Sequence, residues 1–208
     1  MSNAIVKNLS FGDEAKNNVF KGIDKLAKAV SSTLGASGKC VMLENEHGKP
    51  VITKDGVTVA NSVTLRNPIE NMGATLLKEA ARQTVKEAGD GTTTATVLAH
   101  SILSKAYAAE NGSSREMKKG IEEATKKVIA YLEKLAVPVE GSMINNVATI
   151  SANNDAELGN IIAEAFKEVG KNGVVTMEIS NDSATSYEVI NGAAIDKPLK
   201  NFHFITDE

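Results

Sequence analysis

Gly89-Asp90-Gly91-Thr92-Thr93-Thr94-Ala95-Thr96 is the stretch on which the reading of this chain turns. Two glycines flank an acid, and three threonines follow at what reads as the start of an amphipathic helix. N–H groups at a helix N-terminus lack intrahelical partners and carry partial positive charge, so they hold anions. The glycines let a phosphate approach the backbone, the Thr hydroxyls add donors, and Asp90 is a hard oxygen ligand suited to a Mg²⁺ shared with phosphate oxygens. The string can therefore hold a nucleotide phosphate tail with its metal. It is not a P-loop, because no Gly-Lys-Ser/Thr follows at the required spacing. The competing reading is a plain acidic cap on a Thr-rich helix start.

The flanking sequence is helical in pattern. Upstream, Pro68 opens a helix at its first turn, where a missing N–H costs nothing. Its predicted buried face is Ile69, Met72, Gly73, Leu76, Leu77, Ala80, Ala81 and Val85, and it ends at Gly89. Downstream, a helix is expected over 92–109. After the turn at Asn111-Gly112, Ser113 and Glu116 form a capping pair. The helix they open carries Met117, Ile121, Ala124, Val128, Ile129, Leu132 and Leu135 and stops before Pro138.

Nearer the N-terminus, Ala15, Val19, Ile23, Leu26, Ala27, Val30 and Leu34 recur at spacings of three and four over 13–34. That marks a long amphipathic helix, stopped by Gly35 and Gly38. Segments 39–43 and 50–53 read as short strands around a polar turn. Segment 57–65 reads as a strand or the start of a helix. Beyond Pro138 come a short helical stretch at 141–152 and, after Asn153-Asn154-Asp155, a helix with Leu158, Ile161, Ile162, Ala165, Phe166 and Val169. Strands are expected at 174–179 and 186–190. Boundaries fall near Pro138 and Gly192. The fold class is mainly α with small β elements (α+β).

Composition narrows the function classes. Across 208 residues, 23 Lys+Arg against 26 Asp+Glu give a net charge of −3, which offers no electrostatic support for a nucleic-acid partner. No apolar run approaches the roughly 18 residues of a membrane span. Residues 1–10 lack a basic start followed by an apolar run, so they do not read as a secretory signal. The single Cys40 excludes an internal disulfide framework and fits a reducing compartment. It sits in an expected apolar strand and reads as a small core residue. With no Trp, the core must be built from Ala, Val, Leu and Ile.

Two further corners add to the first. Thr33-Leu34-Gly35-Ala36 ends the N-terminal helix, with glycines at 35 and 38, and could bring backbone amides and the Thr33 hydroxyl to the same anion. The alternative is a simple helix stop. Thr53-Lys54-Asp55-Gly56 places a second acid on a sharp turn after a strand, with Gly56 free to take positive φ. A carboxylate there could order a water or help hold a metal near a phosphate. The alternative is a plain hairpin turn.

These corners, in this order, resemble the group I chaperonins, the ring-forming 60 kDa ATP-driven folding machines. The strings that carry the resemblance are Thr33-Leu34-Gly35, Ile52-Thr53-Lys54-Asp55-Gly56-Val57, Glu70-Asn71-Met72-Gly73-Ala74, the stretch from Ala88 to Ala99, and Ile150-Ser151-Ala152-Asn153. The resemblance implies an ATP site with Mg²⁺, and K⁺ as a further candidate ion. Thr33, Leu34, Gly35 and Ala36 match the loop that contacts the nucleotide, and Lys54 a backbone contact beside it. Asp90 matches the carboxylate that holds Mg²⁺. Gly91, Thr92, Thr93 and Thr94 match the phosphate-binding helix start, and Asp55 the acid beside the γ-phosphate that supports hydrolysis. Residues 1–137 would be the first part of an equatorial ATPase domain, 138–191 the first part of an intermediate hinge domain, and 192–208 the start of an apical domain. The implied partners are sibling subunits in a ring, unfolded client proteins and a lid co-chaperonin, in the cytoplasm.

The sequence departs from the family in two places. Ala36-Ser37 stands where the family has Pro-Lys, so the loop loses a fixed φ and a charge. Lys197-Pro198-Leu199-Lys200-Asn201-Phe202-His203-Phe204 stands where the family has an Arg-Gly-Tyr-Leu-Ser-Pro-Tyr-Phe type string. That makes client and lid binding less secure than nucleotide binding. The chain also covers less than half of the family's subunit. In the family, the adenine pocket and the carboxylate that positions the attacking water lie in the other half. The expectation is a fragment that does not hydrolyse ATP efficiently alone. The alternative is a naturally short, non-catalytic protein that pairs with a full chaperonin chain. A small phosphotransferase is a weaker reading, since no nucleophile context is recognisable.

Overall fold

A computed structural model describes residues 9–35, 37–44, 48–109, 113–170, 172–181 and 184–192. The expected apical string at 197–204 lies outside the described residues, as does Ala36. The chain divides into two compact units, Met1–Glu133 and Lys134–Glu208. The described elements are mostly helical, with one two-stranded antiparallel sheet.

In the first unit, α1 (Gly12–Ser31) packs on α3 (Pro68–Ala88) and α4 (Thr92–Ala108), with the short α2 (Gly56–Ser62) between them. Ile23, Leu26, Ala27 and Val30 of α1 meet Val59 and Ala60 of α2 and Ala74 and Leu77 of α3 in one apolar core. The helix over 13–34 stops three residues earlier than its periodicity indicates. Ser31, Ser32 and Thr33 each turn a hydroxyl back onto a carbonyl three residues before, and this run of local bonds closes the helix ahead of Gly35.

The α1–α3 crossing depends on two glycines. A Cβ on Gly22 would stand 1.7 Å from the Glu70 carbonyl oxygen, and one on Gly73 would stand 1.9 Å from that of Val19. Each helix therefore presses its glycine onto the other's backbone. Lys25 Nζ meets Glu70 Oε2 at 2.5 Å beside the crossing. On the other flank, Phe20 of α1 stacks on Tyr107 of α4 with centroids 4.5 Å apart.

α3 opens as predicted. Asn67 Oδ1 accepts the Ile69 and Glu70 N–H groups, and Pro68 occupies the first turn. Its buried face is shifted from the expected one. Met72 and Leu76 are each 64% exposed, while Ala74 and Lys78 are buried. The close glycine crossing turns Gly73, Ala74, Leu77 and Ala81 inward and leaves Met72 and Leu76 outside. Lys78 donates Nζ to the carbonyls of Asn61 (3.3 Å) and Val63, and Arg82 Nε reaches Asn61 Oδ1 at 3.2 Å. α3 thereby clamps the C-terminal end of α2. Burial, and then the Arg82 charge, hold the Lys78 amine below its ordinary value. Lys78→Met would leave two carbonyls without their donor. It is expected to cost about 2 kcal/mol in denaturant unfolding.

β1 (Val41–Glu44) and β2 (Pro50–Thr53) pair with Met42 opposite Ile52 and Leu43 opposite Val51. Val41 and Leu43 turn inward, and Cys40 precedes the strand and is exposed. The core reading of Cys40 is therefore overturned by the register. α5 (Ser114–Leu135) starts with the expected capping box: Ser113 Oγ accepts the Glu116 N–H (3.2 Å), and Glu116 Oε2 accepts the Ser113 N–H (3.4 Å). No residue of α5 is buried.

The second unit is built on a helical hairpin, α6 (Met143–Ser151) and α7 (Ala156–Val169). Asn153 and Asn154 take left-handed φ values of 58° and 65° at the turn, and Asp155 Oδ1 caps α7 through the Glu157 and Leu158 N–H groups. Gly159 rests against Thr149, where a Cβ would lie 2.6 Å from the Thr149 Cα. Segments 174–179 and 186–190 form no ladder, against expectation. Val174 and Met177 are each 81% exposed, and among the described residues no strand pairs with either segment. Tyr187 OH donates to Glu168 Oε1 at 3.0 Å, which ties the second segment to α7.

Candidate functional site

α4 starts where two left-handed glycines turn the chain. Gly89 (φ 76°) ends α3 and donates its N–H to the Val85 carbonyl at 2.9 Å, and Gly91 (φ 87°) is the N-cap of α4. No heavy atom lies within 4 Å of a Cβ position at either glycine, so the backbone there is open. The exposed Asp90 accepts the Gly91 N–H on Oδ1 at 2.6 Å. It therefore caps the turn, and the helix N-cap position falls to Gly91. The first intrahelical bond runs from the Ala95 N–H to the Gly91 carbonyl (2.9 Å). The N–H groups of Thr92, Thr93 and Thr94 thus precede the ladder. Thr92 is buried, Thr93 half-buried and Thr94 exposed. Thr96 is buried and donates its hydroxyl to the Thr92 carbonyl at 2.8 Å.

At the second corner the turn passes directly into α2. Asp55 is the N-cap: Oδ1 accepts the Val57 N–H (3.3 Å), and Oδ2 accepts the Thr58 N–H (2.8 Å) and hydroxyl (2.6 Å). The Thr53 hydroxyl accepts the Asp55 N–H at 3.0 Å. Gly56 does not take positive φ, contrary to expectation. Its requirement is space, because a Cβ there would stand 2.1 Å from Thr93 Oγ1 and 3.4 Å from Val30 Cγ1. Lys54 is exposed beside it.

That contact brings the corners together. The start of α2, the start of α4 and the last turn of α1 meet around Gly56, Thr93 and Val30. The Val30 carbonyl also accepts both the N–H (3.1 Å) and the hydroxyl (2.8 Å) of Thr33, so the first corner hangs from the same turn. Gly35 follows with φ 75° and open space, and Leu34 is exposed. Among the described residues no hydrogen bond or ion pair joins Asp90 to Asp55 or Thr33. Among the same residues no cluster of three or more His, Cys, Asp or Glu could cage a metal. A cation at Asp90 would take its other ligands from phosphate oxygens and water, as Mg²⁺ does at nucleotide sites. The open glycines and free N–H groups fit a phosphate tail.

The charge on Asp55 is held by its cap. Burial pushes the carboxyl up, but the Thr58 hydroxyl and the N–H groups of Thr58 and Val57 outweigh it and hold the group below the usual carboxylate value. The stabilisation this confers is present above the unfolded-state value of about 3.9 and is lost as pH falls through the lower folded-state value. Asp55→Asn keeps a cap acceptor but no longer titrates. It is expected to flatten the loss of stability below about pH 4, as read from urea midpoints across a pH series.

The sequence did not single out Thr58 or Lys78. Thr58 carried a readable signal, since a hydroxyl three residues after an acidic N-cap is a capping arrangement. It was hidden by the strand-or-helix ambiguity of 57–65. Lys78 carried none, because a lysine on a helix is ordinarily a solvated residue.

The architecture is chaperonin-like. The chain is similar to the chaperonin gp146 from the bacteriophage EL 2 (Pseudomonas aeruginosa), solved in the presence of ATP-BeFx in two crystal forms. Identity is 31% and the TM-score 0.66, over 76% of this chain and 28% of that one. It is also similar to a group III chaperonin in the open state, at 25% identity and a TM-score of 0.61, over 74% of this chain and 31% of that one. Residues 26–205 match the TCP-1/cpn60 chaperonin family. The chain belongs to that family. It spans between 28% and 31% of the length of these solved chaperonins. No helix among the described residues is long and apolar enough to cross a membrane.

Proposed function

We propose that this chain is part of a group I chaperonin subunit that binds ATP·Mg²⁺ at the start of α4 and assists protein folding within a ring of sibling subunits. The observation that carries the reading is the α4 start: two left-handed, open glycines flank Asp90 and precede three N–H groups outside the helix ladder. The assignment to group I rests on the five collinear strings from Thr33 to Asn153.

The residues divide the work. The N–H groups of Thr92, Thr93 and Thr94 hold phosphate oxygens, aided by the positive end of α4, and Gly91, whose own N–H is held by Asp90 Oδ1, leaves the backbone open for the phosphate to approach. Asp90 holds Mg²⁺. Thr33, Leu34, Gly35 and Ala36 contact the nucleotide from the end of α1, and Lys54 contacts it from its backbone. Bound ATP·Mg²⁺ supplies the hydrolysable phosphate bond. Asp55, kept ionised by its cap, stands beside that bond and supports its hydrolysis as a fixed charge more than as a proton store. Residues 1–137, 138–191 and 192–208 are assigned to equatorial, intermediate and apical segments. Client proteins and a lid co-chaperonin are the proposed partners, in the cytoplasm.

The test is titration calorimetry of ATP into the chain with Mg²⁺ and with excess EDTA. The reading expects binding that depends on Mg²⁺. The same heat in both conditions, or no heat in either, contradicts it.

A further inference from the structure

We propose that the fold singles out Asn191-Gly192 as a site of spontaneous covalent modification, at which the asparagine closes onto the glycine nitrogen and ages to aspartate and isoaspartate. The chemistry needs no bound nucleotide. The Gly192 amide nitrogen gives its proton to solvent hydroxide and attacks Asn191 Cγ. The Cγ–Nδ2 bond breaks and ammonia leaves, taking a proton from water and returning the hydroxide, so a five-membered succinimide remains. Water then opens the ring at Cγ to give aspartate, or at the main-chain carbonyl to give isoaspartate. Glycine in the second position leaves the attacking nitrogen uncrowded. Both products add a negative charge at the Gly192 boundary, and isoaspartate also routes the main chain through an extra methylene.

Two Asn-Gly pairs lie among the described residues, and their surroundings differ. Asn191 and Gly192 are both exposed, and no heavy atom lies within 4 Å of a Cβ position at Gly192. Among the described residues neither has a hydrogen-bond partner. The last tie before them is Tyr187 OH on Glu168 Oε1 at 3.0 Å. Asn172-Gly173 is held instead. The Gly173 N–H donates to the Gly170 carbonyl at 3.2 Å, and a Cβ on Gly173 would stand 2.3 Å from Val169 Cβ, so this turn is pressed on the end of α7. Attack at Asn172 must first break that bond and move the turn, whereas attack at Asn191 meets neither obstacle. Crowding along the chain runs the other way, since Ile190 before Asn191 is β-branched and Lys171 before Asn172 is not. A lead of Asn191 over Asn172 is therefore a property of the fold. The third pair, Asn111-Gly112, lies outside the described residues.

The experiment incubates the 208-residue chain at mildly acidic and mildly alkaline pH, both native and in urea. The amide-to-acid mass gain is followed by peptide mapping, with each site located by fragmentation. The expected result in the native chain is loss of ammonia at Asn191 about fivefold faster than at Asn172, the effect of the one hydrogen bond that Asn172 must break. The rate at Asn191 should rise with pH, because the attacking nitrogen is the deprotonated one, and isoaspartate should form alongside aspartate. In urea the lead of Asn191 should vanish. Gly192→Ala, which crowds the attacking nitrogen, should slow Asn191 and leave Asn172 unchanged. An Asn191 that keeps its amide, or a native Asn172 that reacts as fast, overturns the assignment. A fivefold lead that persists in urea also overturns it, because the fold would then not select the site.

Discussion

Gly73→Ala is expected to destabilise the first unit by about 3 kcal/mol or more, at the upper end of overpacking costs. The new methyl would lie 1.9 Å from the Val19 carbonyl oxygen and 2.8 Å from its carbon. Both are backbone atoms within α1, so no side-chain rotation relieves the clash. The helices must separate, and doing so loosens Leu26, Val30, Ala74 and Leu77 together. Gly22→Ala opens the same crossing from the other side, 1.7 Å from the Glu70 oxygen. The double variant should therefore cost less than the sum of the singles, since both relieve their strain by the same movement. Gly120→Ala is the contrast, because no heavy atom lies within 4 Å of its Cβ position in α5. It should stabilise by about 1 kcal/mol through helix propensity. Urea unfolding followed by circular dichroism gives all four values. A Gly73→Ala midpoint equal to that of the unsubstituted chain would show that the crossing is not as tight as described.

Asp90→Asn is expected to lower ATP·Mg²⁺ affinity about a hundredfold, or about 2.7 kcal/mol, and to remove most of its Mg²⁺ dependence. Asparagine keeps an Oδ1 that can accept the Gly91 N–H, the only bond Asp90 makes among the described residues. The turn into α4 should survive and the thermal midpoint should move little. The lost quantity is the charge that balances a divalent cation between the carboxylate and phosphate oxygens. Nucleotide binding without Mg²⁺ should be nearly the same in both proteins. Full Mg²⁺-dependent affinity in Asp90→Asn would place the metal elsewhere.

Much of this was legible in the sequence, for identifiable reasons. The α1 face, the Pro68 start, the Gly89 stop and the Ser113–Glu116 cap are local signals, set by periodicity or by bonds across three or four residues. The parts that were not legible depend on distant neighbours. Met72 and Leu76 fit the apolar period of α3, but the glycine crossing with α1 rotates a different face inward. Val174 sits in a segment of strand-like composition that, among the described residues, has no partner strand. Cys40 fell outside because the β1–β2 register starts one residue later. In the candidate site, the glycines and acids of all three corners could be read directly. The meeting of Gly56 with Thr93 could not, because it joins residues 37 positions apart and leaves no local trace. Gly56 itself was singled out for its φ, whereas close approach is what requires a glycine there.

The central claim is that the corners at 33–35, 54–58 and 89–94 form one phosphate-holding site. Backbone amide NMR of the chain during an ATP·Mg²⁺ titration tests it most directly. The account predicts that the Gly91, Thr92, Thr93 and Thr94 amides shift together with those of Gly35 and Asp55, along a single binding curve. Shifts confined to other parts of the chain, or separate curves for the three corners, would contradict it.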